Sequence, residues 1–378
     1  MFHVGIVGCG YWGSKHVRVF NELPDVKVSI CDSDVARLER MVSTHSIAFA
    51  TTDYEELLAS DVDGIVIAVP AVYHAALAER ALLSGKHVLI EKPFATSSSD
   101  AQKLLDLADR KGLVIAVGHT FLYSPAVRTL KKFVESGAIG DLIYVHSARL
   151  NFGLLQPDVN VLWDLAPHDL SILLYLVDRM PTAVATQGSA YYNRAHLEVA
   201  HAHLLFGDDL SAHLHVSWLD PNKVRRTTVV GTKKMVVYDD VAAGEPLKIY
   251  ERSLELSDAG SPTEKWRPVY NDGDILIPRV YEAEPLKEEC LDFIESAQQG
   301  KTPVSNAHLG LRVVQILEHF DVSLSKDGGL VALPAWQNAS GEVLMPVGST
   351  RDAEQMRGPK DANRNGGEKR GDFGNRIR

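Results

Sequence analysis

The chain of 378 residues has little cysteine, little aromatic content and no excess of positive charge. Its three cysteines, Cys9, Cys31 and Cys290, are odd in number and never form a C-x-x-C spacing. A disulfide framework and a cysteine zinc site are therefore not expected. No apolar run reaches about eighteen residues, so no membrane-spanning helix is expected. The formal net charge of −10 lacks the basic footprint of a nucleic-acid binder. The N-terminus runs straight into the apolar segment Phe2–Val7, without a basic flank or a small-residue cleavage site. A secretory leader is not expected, and the cytoplasm is the natural compartment.

What remains is ordinary globular material, 45% hydrophobic and 23% charged, long enough for two domains. Charge is uneven along it. Residues 348–378 carry eight Lys/Arg against five Asp/Glu, a net +3, which leaves −13 on residues 1–347. That last stretch has few apolar residues and many Gly and Asn, so it cannot offset its ordering entropy and is expected to be a disordered tail.

Residues 1–118 alternate short apolar runs with amphipathic segments. Strands are expected at Phe2–Val7, Val26–Cys31, Gly64–Val69, His87–Ile90 and Val114–Val117. Helices are expected to begin at Ser14, to cover Asp34–Thr44, Tyr73–Ser84 and Ser98–Lys111, and to start at a capping box Thr52–Glu55. Strands alternating with helices imply βαβ units and a doubly wound parallel sheet. Over 119–347 the rhythm changes. Helices are expected at Ser124–Glu135, Pro167–Val177, Leu286–Gln298 and Leu309–Leu324. Between Ala183 and Tyr250, strands joined by turns at Gly207–Asp209, Asp220–Asn222 and Gly231-Thr232 imply a mainly antiparallel sheet with one open face. Residues 252–280 read as an irregular loop. The expected class is α/β followed by α+β, with a boundary near residue 118.

Gly8-x-Gly10-x-x-Gly13 sits between the first strand and the first helix. Gly8 allows the tight turn, Gly10 lets the backbone approach a pyrophosphate, and Gly13 lets helix and strand pack closely. Asp32, 24 residues past Gly8, ends the second strand at the spacing expected of an acid on the adenosine ribose. It would repel a 2′-phosphate, so NAD is expected in preference to NADP. Tyr11 and Trp12 lie inside this loop, beside the cofactor or over the helix start.

Glu91-Lys92-Pro93 follows the buried run His87–Ile90. Ligands of a parallel sheet bind outside the carboxyl ends of its strands. Lys92 is therefore a candidate to orient a substrate hydroxyl, its alternative being a solvated surface charge. In Trp163-Asp-Leu-Ala-Pro-His-Asp169, Pro167 fits the first helical position and places His168 in the first turn. The helix dipole there disfavours imidazolium, so His168 is a candidate general base. Asp164 sits just before that helix, beside His168 or on the substrate, and Asp169 reads as a helix-start acid. A capping aspartate with a buried histidine is the structural alternative. No third ligand stands at a convincing spacing, so a metal is not expected. His201/His203 and His213/His215 fall on one sheet face, opposite each other, if Gly207–Asp209 is a three-residue hairpin loop. They line a polar face or subunit interface, with metal binding or pH sensing as alternatives.

Taken together, Gly8–Gly13, Glu91-Lys92-Pro93, Asp164 with His168, and Ser217-Trp218 with Val230-Gly231-Thr232 resemble the Gfo/Idh/MocA family of nicotinamide-dependent oxidoreductases. The resemblance covers nearly all of residues 1–325. It implies a Rossmann domain followed by an open-faced α/β domain that assembles a homodimer or homotetramer through its sheet. It implies catalytic roles for Lys92, Asp164 and His168, and a proline after the lysine that is often cis-bonded. The implied cofactor contacts are Gly8, Gly10, Tyr11, Trp12, Gly13, Asp32, Val69, His74, Glu91 and Lys92. The implied substrate contacts are Lys92, Arg149, Asn151, Asp164 and His168. Lys233-Lys234 departs from the glycine many members carry after this turn. Arg149–Gly153, Trp163–His168 and Glu284-Pro-Leu286 resemble the nucleotide-sugar branch, which oxidises the 3-hydroxyl of UDP-N-acetylglucosamine or its uronate before an aminotransferase acts. A free-sugar or inositol dehydrogenase, a keto-sugar reductase, and a non-catalytic dinucleotide sensor or assembly subunit are the competing readings.

Overall fold

The computed structural model describes residues 1–153, 155–156, 159–257 and 267–334. The tail expected over 348–378 lies outside the described residues.

The described residues form two sheets. The first is parallel, with β1 (Phe2–Val7), β2 (Val26–Cys31), β3 (Phe49–Thr51), β4 (Gly64–Ile67), β5 (His87–Ile90) and β6 (Ile115–Val117) in the order β3-β2-β1-β4-β5-β6. Helices α1 (Tyr11–Glu22), α2 (Val35–Thr44), α3 (Tyr54–Ala59), α4 (His74–Leu83) and α5 (Ser98–Lys111) make the crossovers. Every residue of β1 and β4 is buried, so β4 reads as an unbroken apolar run and β1 is interrupted only by His3, whose ring bonds the Ser29 hydroxyl at 2.7 Å. Strand order reverses between β1 and β4, and the glycine loop stands at that switch point. Helix α5 ends where expected, at Gly112 in the left-handed region (φ +65°). Two starts differ from expectation. The α1 helix begins at Tyr11, so Tyr11 and Trp12 belong to its first turn. The α3 cap is Asp53, whose carboxylate accepts from the Glu55 N–H, and not Thr52.

The second sheet follows α6 (Pro125–Glu135). Its elements are β7 (Leu142–Phe152), α7 (Val161–Val177), β8 (Ala183–Ser189), β9 (Val199–Leu205), β10 (Ser211–Ser217), β11 (Leu219–Gly231), β12 (Met235–Asp239), β13 (Leu247–Ser257), β14 (Arg267–Leu276), α8 (Pro285–Gln299), α9 (Ala307–Leu324) and β15 (Val331–Ala332). The order is β14-β13-β12-β11-β7-β10-β9-β8-β15. The sheet is mixed and mainly antiparallel, the parallel pair being β7 with β10. β7, unanticipated as a strand, is central. Its covered face carries Val145, Ser147 and Arg149, all buried. Asp220-Pro221-Asn222 is not a turn. It lies inside β11, where the pairing with β7 shifts register between Leu219 and Val224. The loop expected over 252–280 is largely the antiparallel pair β13–β14, and residues 258–266 lie outside the described residues.

Late helices return to the first sheet. Leu286, Cys290 and Phe293 of α8 join the core of β1 and α1, with Phe293 edge-on to Phe2 at 6.0 Å. One side of α9 packs with α5 and β6 through Leu311 and Val314, and its other side packs under the second sheet through Val313 and Phe320.

The largest correction concerns α7. It starts at Val161, capped by Asn160, whose Oδ1 accepts from the Leu162 and Trp163 N–H groups. Pro167 is thus inside the helix, where it withholds a donor from the Trp163 carbonyl. His168 is two turns in, so the dipole argument for its neutrality fails.

Candidate active site

At the end of β1 the chain turns at Gly8 with φ +88°, where a side chain would strike the Ala68 carbonyl. A Cβ on Gly13 would overlap the Gly8 carbonyl, while one on Gly10 would meet only Arg37 Nη1, at 3.9 Å. Two glycines are thus demanded by packing, and the third leaves open backbone, as a dinucleotide pyrophosphate requires. Asp32 is buried and shapes this loop. Its Oδ2 accepts from the Cys9 N–H (2.6 Å) and its Oδ1 from the Asp34 N–H (2.9 Å). Arg37 approaches the same carboxylate at 3.6 Å. This cradle fits a nicotinamide dinucleotide.

Of the other expected cofactor contacts, Tyr11 is exposed and packs edge-on against Trp12, with Lys15 over both rings. His74 is buried. Its ring nitrogens stand 2.8 Å from the Pro93 carbonyl and 2.9 Å from the Val69 carbonyl, and the neutral ring donates to one of them while packing between the loops after β4 and β5. Glu91 is also buried and bonds His16 of α1 at 2.9 Å. Both therefore act as supports beneath the crevice.

The Lys92-Pro93 bond is cis. Lys92 Nζ donates to Asp164 Oδ1 and to the Asp164 carbonyl, each at 2.9 Å. An ammonium has three donors, so these bonds leave one for a substrate oxygen. Trp218, at the end of β10, holds the other Asp164 oxygen through its indole N–H at 3.1 Å. Asp164 and His168 stand four residues apart on α7, on one face. Trp12, Lys92, Asp164 and His168 line a common pocket with Arg149, Asn151 and Arg225. This brings together all five expected substrate contacts.

His168 Nδ1 is buried without a hydrogen-bond partner. Burial first, then the charges of Arg149, Lys92, His119 and Arg225, hold His168 well below the usual imidazole range. A neutral imidazole at pH 7 is the proton-accepting form, so the neutrality expected of His168 arises from burial and not from the helix dipole. His119, at the end of β6, is fully buried with neither nitrogen bonded, and is pushed down to about 3 by burial and Lys92.

Sequence reasoning missed four residues here. Asp169 is no helix-start acid. It is buried and accepts from Arg149 Nε (2.7 Å) and Ser147 Oγ (2.6 Å). Phe121 lies edge-on to His168 at 4.9 Å. Trp218 was seen only as a mark of resemblance. Arg225 faces Arg149 across the β7–β11 ladder. Period-two alternation with Thr227 and Val229 was the available signal for Arg225, but its partner lies far away in sequence.

A larger concavity occupies the open face of the second sheet. As expected from the hairpin, His203 pairs with His213 and His201 with His215, ring centroids stacked at 4.2 and 4.0 Å. His146 and Tyr144 of β7 line the same hollow. Among the described residues, no three His, Cys, Asp or Glu side chains are arranged to hold a metal ion, and no helix is long and apolar enough to cross a membrane.

Residues 2–119 match the model of an oxidoreductase family with an NAD-binding Rossmann fold, and residues 127–237 match the GFO/IDH/MocA C-terminal domain. The chain is 28% identical over 319 residues to a UDP-N-acetylglucosamine 3-dehydrogenase of Acidithiobacillus ferrooxidans, covering 83% of this chain and 95% of that protein. A crystal structure of that dehydrogenase superposes with TM-score 0.71 at 25% identity, covering 85% of this chain and 98% of the other. Other matches are partial. An uncharacterised oxidoreductase, YrbE, of Bacillus subtilis is 28% identical over 52% of this chain and 59% of its own length. An inositol 2-dehydrogenase of Salmonella agona is 28% identical over 46% of this chain and 54% of its own. The chain belongs to the Gfo/Idh/MocA family of NAD-binding oxidoreductases.

Proposed function

We propose that the protein oxidises a secondary hydroxyl of a sugar with NAD, and that its substrate is a UDP-N-acetylated hexosamine oxidised at the 3-hydroxyl. The observation that carries this reading is the convergence of Lys92, Asp164 and His168 on one pocket that Trp12, from the first turn of α1 after the glycine loop, also lines. Bound NAD supplies the hydride acceptor. The remaining Lys92 donor orients the substrate hydroxyl. Asp164 holds Lys92 in place and is itself held by Trp218. His168 takes the hydroxyl proton as the carbon loses hydride, which leaves a ketone. The buried, unpartnered Asn151 Oδ1 offers an acceptor to a substrate N–H or O–H.

Support for the nucleotide sugar comes from the Acidithiobacillus relative, matched over 95% of its length. The inositol dehydrogenases match about half of this chain and keep a cyclitol substrate as the second reading. Asp32 favours NAD, and Arg37 beside it makes NADP the competitor to test. We further propose a cytoplasmic homodimer or homotetramer joined through the open sheet face, with an aminotransferase consuming the keto product. Light scattering reads the assembly. Nicotinamide reduction at 340 nm with NAD and UDP-N-acetylglucosamine, plus an aminotransferase to draw off product, reads the activity. Turnover confined to inositols and free sugars would sink the nucleotide-sugar reading.

A further inference from the structure

On the covered face of the β7–β11 ladder the cross-strand pairs change character towards the pocket. Val145 faces Val229, Ser147 faces Thr227, and Arg149 faces Arg225. Like charges directly opposite each other destabilise an antiparallel pair. Here each guanidinium has a carboxylate of its own. Asp169 grips Arg149 by Nε and Nη2, and Asp240 holds Arg225 by Nη1 at 3.1 Å while also accepting from the Tyr238 hydroxyl. Both guanidiniums also lie over the Phe121 ring, 4.4 and 5.3 Å from its centroid. The same ring touches His168. A guanidinium has five N–H donors, so these carboxylates fix each fork and leave further donors for a ligand. The pocket lining holds three cations, Lys92, Arg149 and Arg225, against the single carboxylate of Asp164.

We propose that Arg149 and Arg225 form an anion clamp that selects a sugar bearing a carboxylate or phosphate close to the carbon being oxidised. This rests on the sugar-dehydrogenase reading above and adds Arg225 as its specificity residue. The clamp sits one aromatic ring from the base, so the anionic group belongs to the reacting sugar or to its first substituent. A neutral cyclitol would give the remaining donors of both guanidiniums no anionic acceptor, which costs affinity.

The test compares wild type, Arg225→Gln and Arg225→Lys with five substrates: UDP-N-acetylglucosamine, its uronate, free glucuronate, free N-acetylglucosamine and myo-inositol. NAD affinity and the unfolding midpoint serve as folding controls. Arg225→Gln should raise KM for the anionic substrates roughly 10- to 100-fold with a smaller change in kcat. Arg225→Lys, which keeps charge but loses the fork, should fall between. A rise shared by both nucleotide sugars assigns the clamp to phosphate. A rise for the uronate alone assigns it to the carboxylate. Folded Arg225→Gln with unchanged KM for the nucleotide sugars, which wild type turns over, overturns the clamp and leaves the nucleotide-sugar reading standing. Wild-type turnover of a free sugar acid such as glucuronate but of no nucleotide sugar, lost in Arg225→Gln, does the reverse. If Arg225→Gln does not fold, Arg225→Lys with wild-type KM for every charged substrate also overturns the clamp.

Discussion

The two sheets solve opposite problems. The six-stranded sheet buries its inner strands β1, β4 and β5 almost completely, so these are mainly apolar and its candidate site residues stand at strand ends: Gly8, Asp32 and Lys92. The nine-stranded sheet has one covered and one open face, and its polar residues sit mid-strand. Arg149 and Arg225 occupy the covered face, and stacked histidines the open one. The chemistry divides the same way. The first sheet carries the glycine loop, the second sheet with α7 carries the proposed base His168 and the arginines of the pocket, and the Lys92–Asp164 bridge couples them.

That division can be broken by mutation. The largest effect expected is on His168→Ala, which should lower kcat by about 10²–10⁴-fold while NAD affinity stays put. Steady-state kinetics with nicotinamide fluorescence titration reads both, and a matching loss of NAD binding would refute the separation. Arg149→Leu leaves Asp169 charged and buried without its partner, so it should destabilise the fold by about 3–5 kcal/mol in urea unfolding. The double variant Arg149→Leu/Asp169→Leu should recover part of that loss. Asp32→Ala removes the acceptor of two loop N–H bonds, and KM for NAD should rise at least about tenfold with kcat little altered. If NADP then becomes the better substrate, Arg37 has taken over the ribose end. Trp218→Phe deletes one bond to Asp164 and should lower kcat several-fold, on the order of 1 kcal/mol, without touching NAD affinity.

The smallest effect is on pH. Burial holds His168 and His119 below the usual histidine value, near 6.5, in the folded state. The unfolded chain therefore takes up more protons as pH falls, so the stability they contribute is complete above about 6.5 and is lost on acidification below it. Unfolding free energies from pH 7 to pH 4 should decline, and His119→Phe should flatten the decline. An equal slope in wild type and His119→Phe would remove His119 from the account.

How much was legible follows from how local each signal is. The glycine loop, the buried runs of β1 and β4 and the Gly112 stop each depend on a few adjacent residues, and all appear close to where they were read. The His203–His213 pairing was legible because a short loop sets hairpin register. The start of α7 was misread because Pro167 is a good first helical residue. Asn160, seven residues earlier, holds the real cap. Misplacing that start made Asp169 look like a terminal acid, when it is the buried counter-ion of Arg149. β7 escaped notice because its polar His146, Ser147, Arg149 and Asn151 look unlike a central strand until both faces are known.

The sequence by itself determined the alternation of strands and helices in residues 1–118, apart from the short and mostly exposed β3, together with the glycine turn after β1 and the candidacy of Lys92, Asp164 and His168, since burial period and glycine geometry act over short stretches of chain. Tertiary structure alone decided why His168 is neutral, what Asp169 does and that Arg225 faces Arg149. Burial, field and cross-strand contact are set by residues distant in sequence, and only packing brings them within reach of one another.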